Sequence, residues 1–436
     1  MVKSFLSNID NARALQTYQL IRFSILILIS IFLVKSGLPV EEIAVYEAFI
    51  FLGNFMTFFW LMGIKNAMLS YYPSLPESKK ESFFYNLIIL VALLSFILAI
   101  GFFVFKDWII QNLTHFEKFD FRLILSLYIV GLSVGSVVEY FYLIKKKSIQ
   151  IIQYGAIAFV LQFFIVLVPV YLGYPFYYVF IGLLILALLK SFWMLYLMSN
   201  ESKFVFDFNL QKAFLLFSIP LMLHMFLGSG MEYIDGFLVT SQFEDPALFA
   251  KFRYGARELP LATILVGALT SAMIPEAIEN MEATLLQVKR RTKKLAHFLF
   301  PISMILLLIS PILFPLVYSD EFKLSARIFN IYLLVLSSRI LLPQIIIFGK
   351  QHNFVLVWSA LFELLVNIIL SILFIQYFGI LGIAYATVVA YMVNKLIMTV
   401  YNYRTFSISP KAYLHLPSYF LYNAMLIICY VISLYY

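Results

Sequence analysis

Charged residues and cysteine are scarce in this chain of 436 residues. Only 12% of the residues are charged and 63% are hydrophobic, and the mean hydropathy is +0.94. This composition excludes a soluble domain and indicates an integral membrane protein. The single cysteine, Cys429, lies in an apolar run, so an intramolecular disulfide is excluded and no cysteine metal site is available.

Local motifs for enzymatic chemistry are also missing from the sequence. It has no metal-ligand cluster, no Gly-rich phosphate loop and no local Ser/His/Asp arrangement. The longest connection between apolar runs, residues 276–296, is too short for a soluble catalytic domain. We therefore expect neither an enzyme nor a bound cofactor.

Long apolar runs are what the sequence does contain, and runs of about 20 residues predict membrane-spanning helices. A more polar connection at residues 190–208 separates two sets of six, which predicts lobes at residues 1–200 and 201–405 and a hydrophobic tail at 406–436. The predicted class is an all-α polytopic membrane protein. The thirteen runs lie near residues 14–34, 43–63, 83–105, 123–143, 150–171, 175–198, 214–240, 252–275, 297–317, 328–348, 354–376, 379–400 and 415–434.

The distribution of lysine and arginine predicts the orientation. A cytoplasmic N-terminus places twenty of these residues on the cytoplasmic side, Lys65, Lys190 and Lys395 among them, and seven outside. This bias explains most of the net charge of +8, so we expect no nucleic-acid partner. Lys3 and Arg13 precede the first apolar run without a small-residue cleavage site, which predicts an uncleaved first helix in the cytoplasmic membrane.

Ionisable residues inside the predicted spans are the candidates for function. An arginine near the bilayer centre costs roughly 2.5 to 3.5 kcal/mol on insertion scales, so it normally faces a protein interior or a water-filled path. Counting about 1.5 Å per residue from the turn near Asp245 places Asp235 and Arg257 at a similar depth. Two interpretations stay open: a structural ion pair, or a charged wall that holds a substrate or a coupling ion. The candidates are Arg22, Arg253, Arg257 and Arg339, with the acids Glu232 and Asp235.

Two parts of the chain resemble each other at an offset of about 205 residues. YLIKKKSIQ and IIIFGKQHN align with Lys145 over Lys350, and the following spans align with Gln162 over Asn367. Such a repeat predicts two six-helix bundles related by an axis along the membrane normal, with the substrate site between them.

Three stretches carry a family resemblance: YGARELPLATILVGALTSAMIPE, FPLVYSDEFKLSARIFNIYLLVL and NIILSILFIQYFGILGIAYATVVAYMV. They resemble the multidrug/oligosaccharidyl-lipid/polysaccharide (MOP) exporter superfamily, and within it the O-antigen type flippases of lipid-linked oligosaccharides. The resemblance implies two six-helix lobes in a V around a central cavity. Because that family usually has twelve or fourteen spans, the thirteenth run is either an extra C-terminal hydrophobic helix or a segment along the interface.

The same resemblance implies alternating access and a polyprenyl-diphosphate-linked oligosaccharide as cargo, flipped from the inner to the outer leaflet for lipopolysaccharide or a related surface polysaccharide. Membrane lipids and other polysaccharide-assembly proteins are the further partners expected. Guanidinium groups stay charged and grip phosphate oxygens through paired hydrogen bonds. The implied cargo ligands are Arg22, Arg253, Arg257 and Arg339; Asp235, Asn367 and Thr387 are implied to bind sodium, with Glu232 as an alternative proton carrier.

Three other functions remain open. A cation-coupled drug or metabolite antiporter of the same superfamily would be favoured by an acidic cavity. A membrane-embedded glycan polymerase or ligase would need a long outer loop or a cluster of catalytic groups. A scaffold that does not transport would not need an arginine at the centre of a span.

Overall fold

The computed structural model describes residues 11–105 and 121–435, with the side chains of all but residues 11, 12, 228, 229, 232, 275 and 353 in these ranges. The described chain consists of helices, turns and loops, without a strand. The first helices are α1 (Asn11–Lys35), α2 (Val40–Phe55), α3 (Phe58–Ser74), α4 (Glu77–Val104), α5 (Arg122–Gly135), α6 (Val138–Ile144), α7 (Ser148–Tyr171) and α8 (Tyr177–Glu201). The others are α9 (Phe208–Gln242), α10 (Pro246–Gly255), α11 (Pro260–Glu279), α12 (Met281–Val317), α13 (Lys323–Leu333), α14 (Leu336–Arg339), α15 (Gln344–Gly349), α16 (Asn353–Phe378), α17 (Leu381–Phe406), α18 (Pro410–Tyr413) and α19 (Leu416–Ser433).

The predicted all-α polytopic membrane fold is confirmed. Eleven helices in the described residues are long and apolar enough to cross a membrane, and α2 with α3, bent by 49°, forms a twelfth candidate. The run predicted at 328–348 is instead divided among the short helices α13, α14 and α15. The final run forms α19, which meets the length and hydropathy expected of a span. Large side chains such as Leu93, Phe96 and Ile97 are exposed along α4, as expected for a surface in contact with lipid.

The two predicted repeats have the same backbone geometry at their basic turns. Lys146 and Gln351, 205 residues apart, adopt left-handed φ angles of 55° and 60°. The amide of Lys147 donates to the carbonyl of Tyr142 at 2.9 Å, and that of His352 donates to Ile347 at 3.0 Å. This is again an offset of 205 residues, so each hydrogen bond of one turn has its counterpart in the other.

The described residues pack into two compact units. The first consists of the chain up to Tyr233 with Phe243–Ala247, and the second of Ile234–Gln242 with Leu248–Tyr436. The first unit has a core of aromatic side chains that includes Phe83, Phe84 and Phe141. The predicted lobe boundaries at residues 200 and 405, and the V arrangement, stay predictions.

The second unit is held together by rings and small residues. The ring of Tyr254 lies 5.2 Å from that of Phe322, centroid to centroid. A Cβ added to Gly382 of α17 would lie 2.4 Å from the backbone carbonyl carbon of Phe374 of α16, so only glycine allows these helices to approach this closely. The side-chain amide of Asn330 donates to the hydroxyl of Ser433 at 3.1 Å and fixes α19 to this unit.

Candidate functional site

Three residues predicted to bind a coupling ion lie together in the second unit. The Thr387 hydroxyl of α17 donates to Oδ2 of Asp235 on α9 at 2.7 Å, and the Asn367 amide of α16 donates to Thr387 at 3.0 Å. The Tyr332 hydroxyl of α13 donates to the same Asp235 oxygen at 2.9 Å. We call these four residues the Asp235 centre. The side chain of the other predicted residue, Glu232, lies outside the described residues.

The Asp235 centre offers oxygen atoms in a buried setting. Asp235 is 2% exposed, and Asn367 is fully buried. Ser371, one turn further along α16, is buried too, and in the described chain neither its hydroxyl nor Oδ1 of Asn367 has a hydrogen-bond partner. Carboxylate, amide and hydroxyl oxygens suit hard cations, whereas the described residues contain no cluster of three His, Cys, Asp or Glu. The donor set therefore fits sodium or a proton better than a transition metal.

Arg339 forms a second centre in the same unit. Its Nε and Nη2 donate to the two carboxylate oxygens of Glu258 at 2.8 and 2.5 Å, which is a bidentate ion pair. Its guanidinium carbon lies 4.5 Å from the ring centroid of Tyr391 on α17. Glu363 of α16 is 7% exposed and interacts electrostatically with Arg339 and with Lys395 of α17. These five residues, the Arg339 centre, contain two cations and two carboxylates.

The Arg339 centre lies where helices are interrupted. Glu258 belongs to the non-helical residues 256–259 between α10 and α11, and Arg339 ends α14, just before the interruption at residues 340–343. Interrupted backbone at membrane depth persists only where protein or water satisfies its polar groups. The Asn402 amide of α17 does this at the second interruption by donating to the carbonyl of Pro343 at 2.9 Å. The Arg339–Glu258 ion pair thus links residues 256–259 to the end of α14, two places where helices of this unit are interrupted.

The other two arginines predicted in this unit lie near Glu258 in the chain. The guanidinium carbon of Arg257 lies 5.3 Å from the ring centroid of Tyr254, and among the described side chains Arg257 forms no ion pair. Arg253 is partly buried in the last turn of α10. Arg339 pairs with Glu258, a residue that the sequence analysis did not single out.

The first unit contains a third charged group, which we call the Glu139 centre: Glu139, Lys65, Lys190 and Arg22. The Lys65 ammonium of α3 lies 3.2 Å from the Glu139 carboxylate of α6, and both side chains are buried. Lys190 of α8 interacts electrostatically with Glu139 and with Arg22 of α1, which is exposed. The Glu139 centre thus contains three cations and one carboxylate, in contrast to the balanced charges of the Arg339 centre.

The repeat relates these two centres. Lys190 and Lys395 are 205 residues apart, and so are Glu139 and Gln344. Lys190 is in electrostatic range of Glu139, and Lys395 donates to the side-chain oxygen of Gln344 at 3.0 Å. Each lysine also lies within electrostatic range of an arginine, Arg22 or Arg339. Each unit therefore places a lysine within electrostatic range of an arginine, and neighbouring like charges favour an anionic ligand.

The sequence analysis missed several of these residues for an identifiable reason. Lys65, Lys190 and Lys395 were counted with the loop residues of the cytoplasmic side, whereas the structure places them within α3, α8 and α17. Without them seventeen cations remain on the cytoplasmic side against seven outside, and the predicted orientation is unchanged. Glu258 and Glu363 were also overlooked, although each is an acid inside a predicted apolar run. That position was the signal that could have identified them.

A family model described as polysaccharide biosynthesis protein matches residues 38–327. The chain belongs to this family. No curated protein matches the chain. The predicted membership of the MOP superfamily, and of its polysaccharide branch, is confirmed by this match and by the solved structures of similar fold.

The solved structures that resemble this family member are transporters and flippases. The lipid II flippase MurJ in an inward closed conformation has a TM-score of 0.70 at 17% identity, over 95% of this chain and 97% of MurJ. The MATE transporter VcmN of Vibrio cholerae has a TM-score of 0.61 at 14% identity, over 94% of this chain and 98% of its own. A MOP superfamily transporter from Pyrococcus furiosus has a TM-score of 0.59 at 14% identity, over 92% and 96%. At these identities the likeness establishes the fold of the chain.

Proposed function

We propose that this protein flips a polyprenyl-diphosphate-linked oligosaccharide from the inner to the outer leaflet of the cytoplasmic membrane, for the synthesis of a cell-surface polysaccharide such as lipopolysaccharide O-antigen. Transport proceeds by alternating access and is coupled to a cation. The N-terminus is cytoplasmic, and the protein acts as a transporter without enzymatic activity. Membership of the polysaccharide biosynthesis family and the transporter fold support this proposal.

The observation that carries the proposal is the surplus of positive charge in the Glu139 centre. This centre consists of three cations, Arg22, Lys65 and Lys190, and the one carboxylate of Glu139. Uncompensated cations inside a membrane protein are costly unless a partner of opposite charge arrives. A lipid diphosphate supplies that charge while its polyprenyl chain stays in the hydrocarbon.

The arginines act as ligands for the diphosphate and for the first sugars. Arg22 is exposed and therefore accessible to a headgroup. Arg339 offers a planar fork of N–H donors, the geometry that binds phosphate oxygens in pairs. Arg253 and Arg257, which lie close to Glu258 in the chain, are the other two proposed ligands.

The Asp235 centre holds the coupling ion in this proposal. Asp235 supplies the charge, and Asn367 and Thr387 supply neutral oxygens; the orphaned Oδ1 of Asn367 fits this role. Sodium is the ion that such hard oxygens suit, and a proton on Asp235 or Glu232 is the alternative.

A cation-coupled drug or metabolite antiporter is the second candidate. The acids Glu258 and Glu363 in the second unit favour it, since carboxylates attract cationic compounds. The Glu139 centre, with one acid among three cations, favours the flippase.

The sidedness of lipid-linked oligosaccharide in cells lacking this protein tests the proposal. We expect the lipid to accumulate on the cytoplasmic leaflet, and wild type to relieve this while Arg22→Gln and Arg339→Gln do not at equal expression. Arg327→Gln is the matched control, because Arg327 is an exposed arginine outside the three centres. Sensitivity to cationic drugs without accumulated glycan lipid would favour the antiporter.

A further inference from the structure

The Arg339–Glu258 pair differs in its accessibility from the buried Lys65–Glu139 pair of the first unit. The relative solvent exposure of the Arg339 and Glu258 side chains is 29% and 20%, whereas that of the Lys65 and Glu139 side chains is 8% and 7%. Glu258 also lies on non-helical backbone, so it can move away without breaking helical hydrogen bonds. Another anion can therefore replace the Glu258 carboxylate at Arg339, whereas the Lys65–Glu139 pair is closed to solvent.

We propose that Glu258 is an internal competitor of the cargo: it binds Arg339 when the transporter is empty and releases the guanidinium to the diphosphate when cargo binds. This inference rests on the proposed function, because it takes the cargo to be a lipid diphosphate. It assigns to Glu258 a role that differs from both cargo binding and ion coupling.

The chemistry of the exchange follows from the geometry of the pair. Carboxylate and phosphate both bind a guanidinium through two parallel hydrogen bonds, so they cannot occupy Nε and Nη2 together. The guanidinium of Arg339 lies over the Tyr391 ring, and its Nε and Nη2 remain available to hydrogen-bond to the Glu258 carboxylate. The arginine can therefore stay on the ring while its anionic partner changes.

The exchange also explains why an acid is needed at this position. After cargo release, the empty transporter has to return with Arg339 still inside the membrane, where an unpaired charge is costly. Glu258 neutralises Arg339 during that return. Without the carboxylate, cargo should bind more tightly and the empty return should become slow.

Binding of farnesyl diphosphate to the purified protein in detergent tests whether Glu258 competes with the cargo for Arg339. We expect Glu258→Gln to tighten binding about tenfold, the equivalent of one charge-assisted hydrogen bond lost by the competitor. Glu258→Asp keeps the charge on a shorter side chain and should tighten it less. Glu363→Gln removes a nearby charge that does not hydrogen-bond to Arg339, so a smaller gain is expected. Arg339→Gln should abolish the binding.

Transport in proteoliposomes tests whether Glu258 is needed for the return of the empty transporter. Glu258→Gln should lower net flipping about tenfold while exchange of labelled for unlabelled cargo continues, because exchange skips the empty return.

If Arg339→Gln abolishes binding but neither Glu258 variant tightens it, the inference is wrong and the proposed function stands. An equal gain with Glu363→Gln also overturns it, since general charge would then be the cause. If Arg339→Gln binds like wild type, the proposed cargo role of Arg339 fails as well. Should Glu258→Gln not fold, the affinity of Glu258→Asp decides.

Discussion

The hydroxyl of Thr387 donates a 2.7 Å hydrogen bond to the carboxylate of Asp235, although the two residues are 152 positions apart in the chain. Both are buried, and they join α17 to α9 within the second unit. This buried carboxylate, held by the hydroxyl groups of Thr387 and Tyr332, is the site that we propose for the coupling cation.

Thr387→Val should weaken sodium-dependent flipping about tenfold, because the variant keeps the shape of the side chain and removes an oxygen from the Asp235 centre. Asp235→Asn should abolish the dependence on sodium altogether. Flipping in proteoliposomes with and without a sodium gradient measures both effects. Thr399→Val is the matched control on the same helix, since the Thr399 hydroxyl lies beside that of Tyr413 instead. Unchanged sodium dependence in Asp235→Asn would remove the coupling role.

Lys190→Gln should lower the affinity for farnesyl diphosphate about tenfold, because it removes one of the cations beside Glu139. Lys190→Arg should retain most of the affinity, since the charge is kept. Direct binding in detergent gives the comparison, with the exposed Lys212→Gln as the control from the same unit. Equal affinities in Lys190→Gln and wild type would exclude this lysine from the cargo site.

Glu139→Gln should destabilise the protein by about 3 kcal/mol, because it leaves Lys65 buried without its partner. The double variant Lys65→Met with Glu139→Gln should recover much of this loss. Thermal unfolding in detergent reports the order of the variants. Glu77→Gln serves as the control, since Glu77 is 88% exposed in its pair with Lys80 and such pairs contribute little. A double variant as unstable as Glu139→Gln alone would show that the buried lysine is not the cause.

Gly382→Ala should destabilise the protein by about 1 to 3 kcal/mol, because the new methyl group would collide with the backbone of Phe374. Gly101→Ala should be tolerated, since among the described residues no atom outside its own helical turn lies within 4 Å of the added Cβ. The same unfolding measurement compares the two substitutions. A Gly382→Ala variant as stable as wild type would mean that α16 and α17 can separate without loss.

Much of the architecture could be predicted because hydropathy over about 20 residues is a strong signal. The grouping of Asp235, Asn367 and Thr387 was predicted as well, from the family resemblance, and the structure brings the three side chains together. The offset of 205 residues was visible in the sequence, and the turns at Lys146 and Gln351 show its physical counterpart.

The ion pairs could not be predicted, since they depend on where helices end and how they meet. Glu258 reaches Arg339 only because α10 stops at Gly255 and α14 stops at Arg339, and hydropathy does not report either interruption. Lys190 was assigned to the cytoplasmic side because a basic residue near the end of an apolar run resembles a loop residue. It is in fact thirteen positions into α8, which continues to Glu201.

The most direct test of the central claim is the rate at which purified protein in liposomes moves a fluorescent polyprenyl-diphosphate oligosaccharide between leaflets, measured by quenching the outer leaflet. Flipping by wild type that is lost in Arg22→Gln and Arg339→Gln, and kept in Arg327→Gln, is the result expected. Lipid movement no faster than in empty liposomes, under every cation gradient applied, would contradict the proposal that this protein is a flippase.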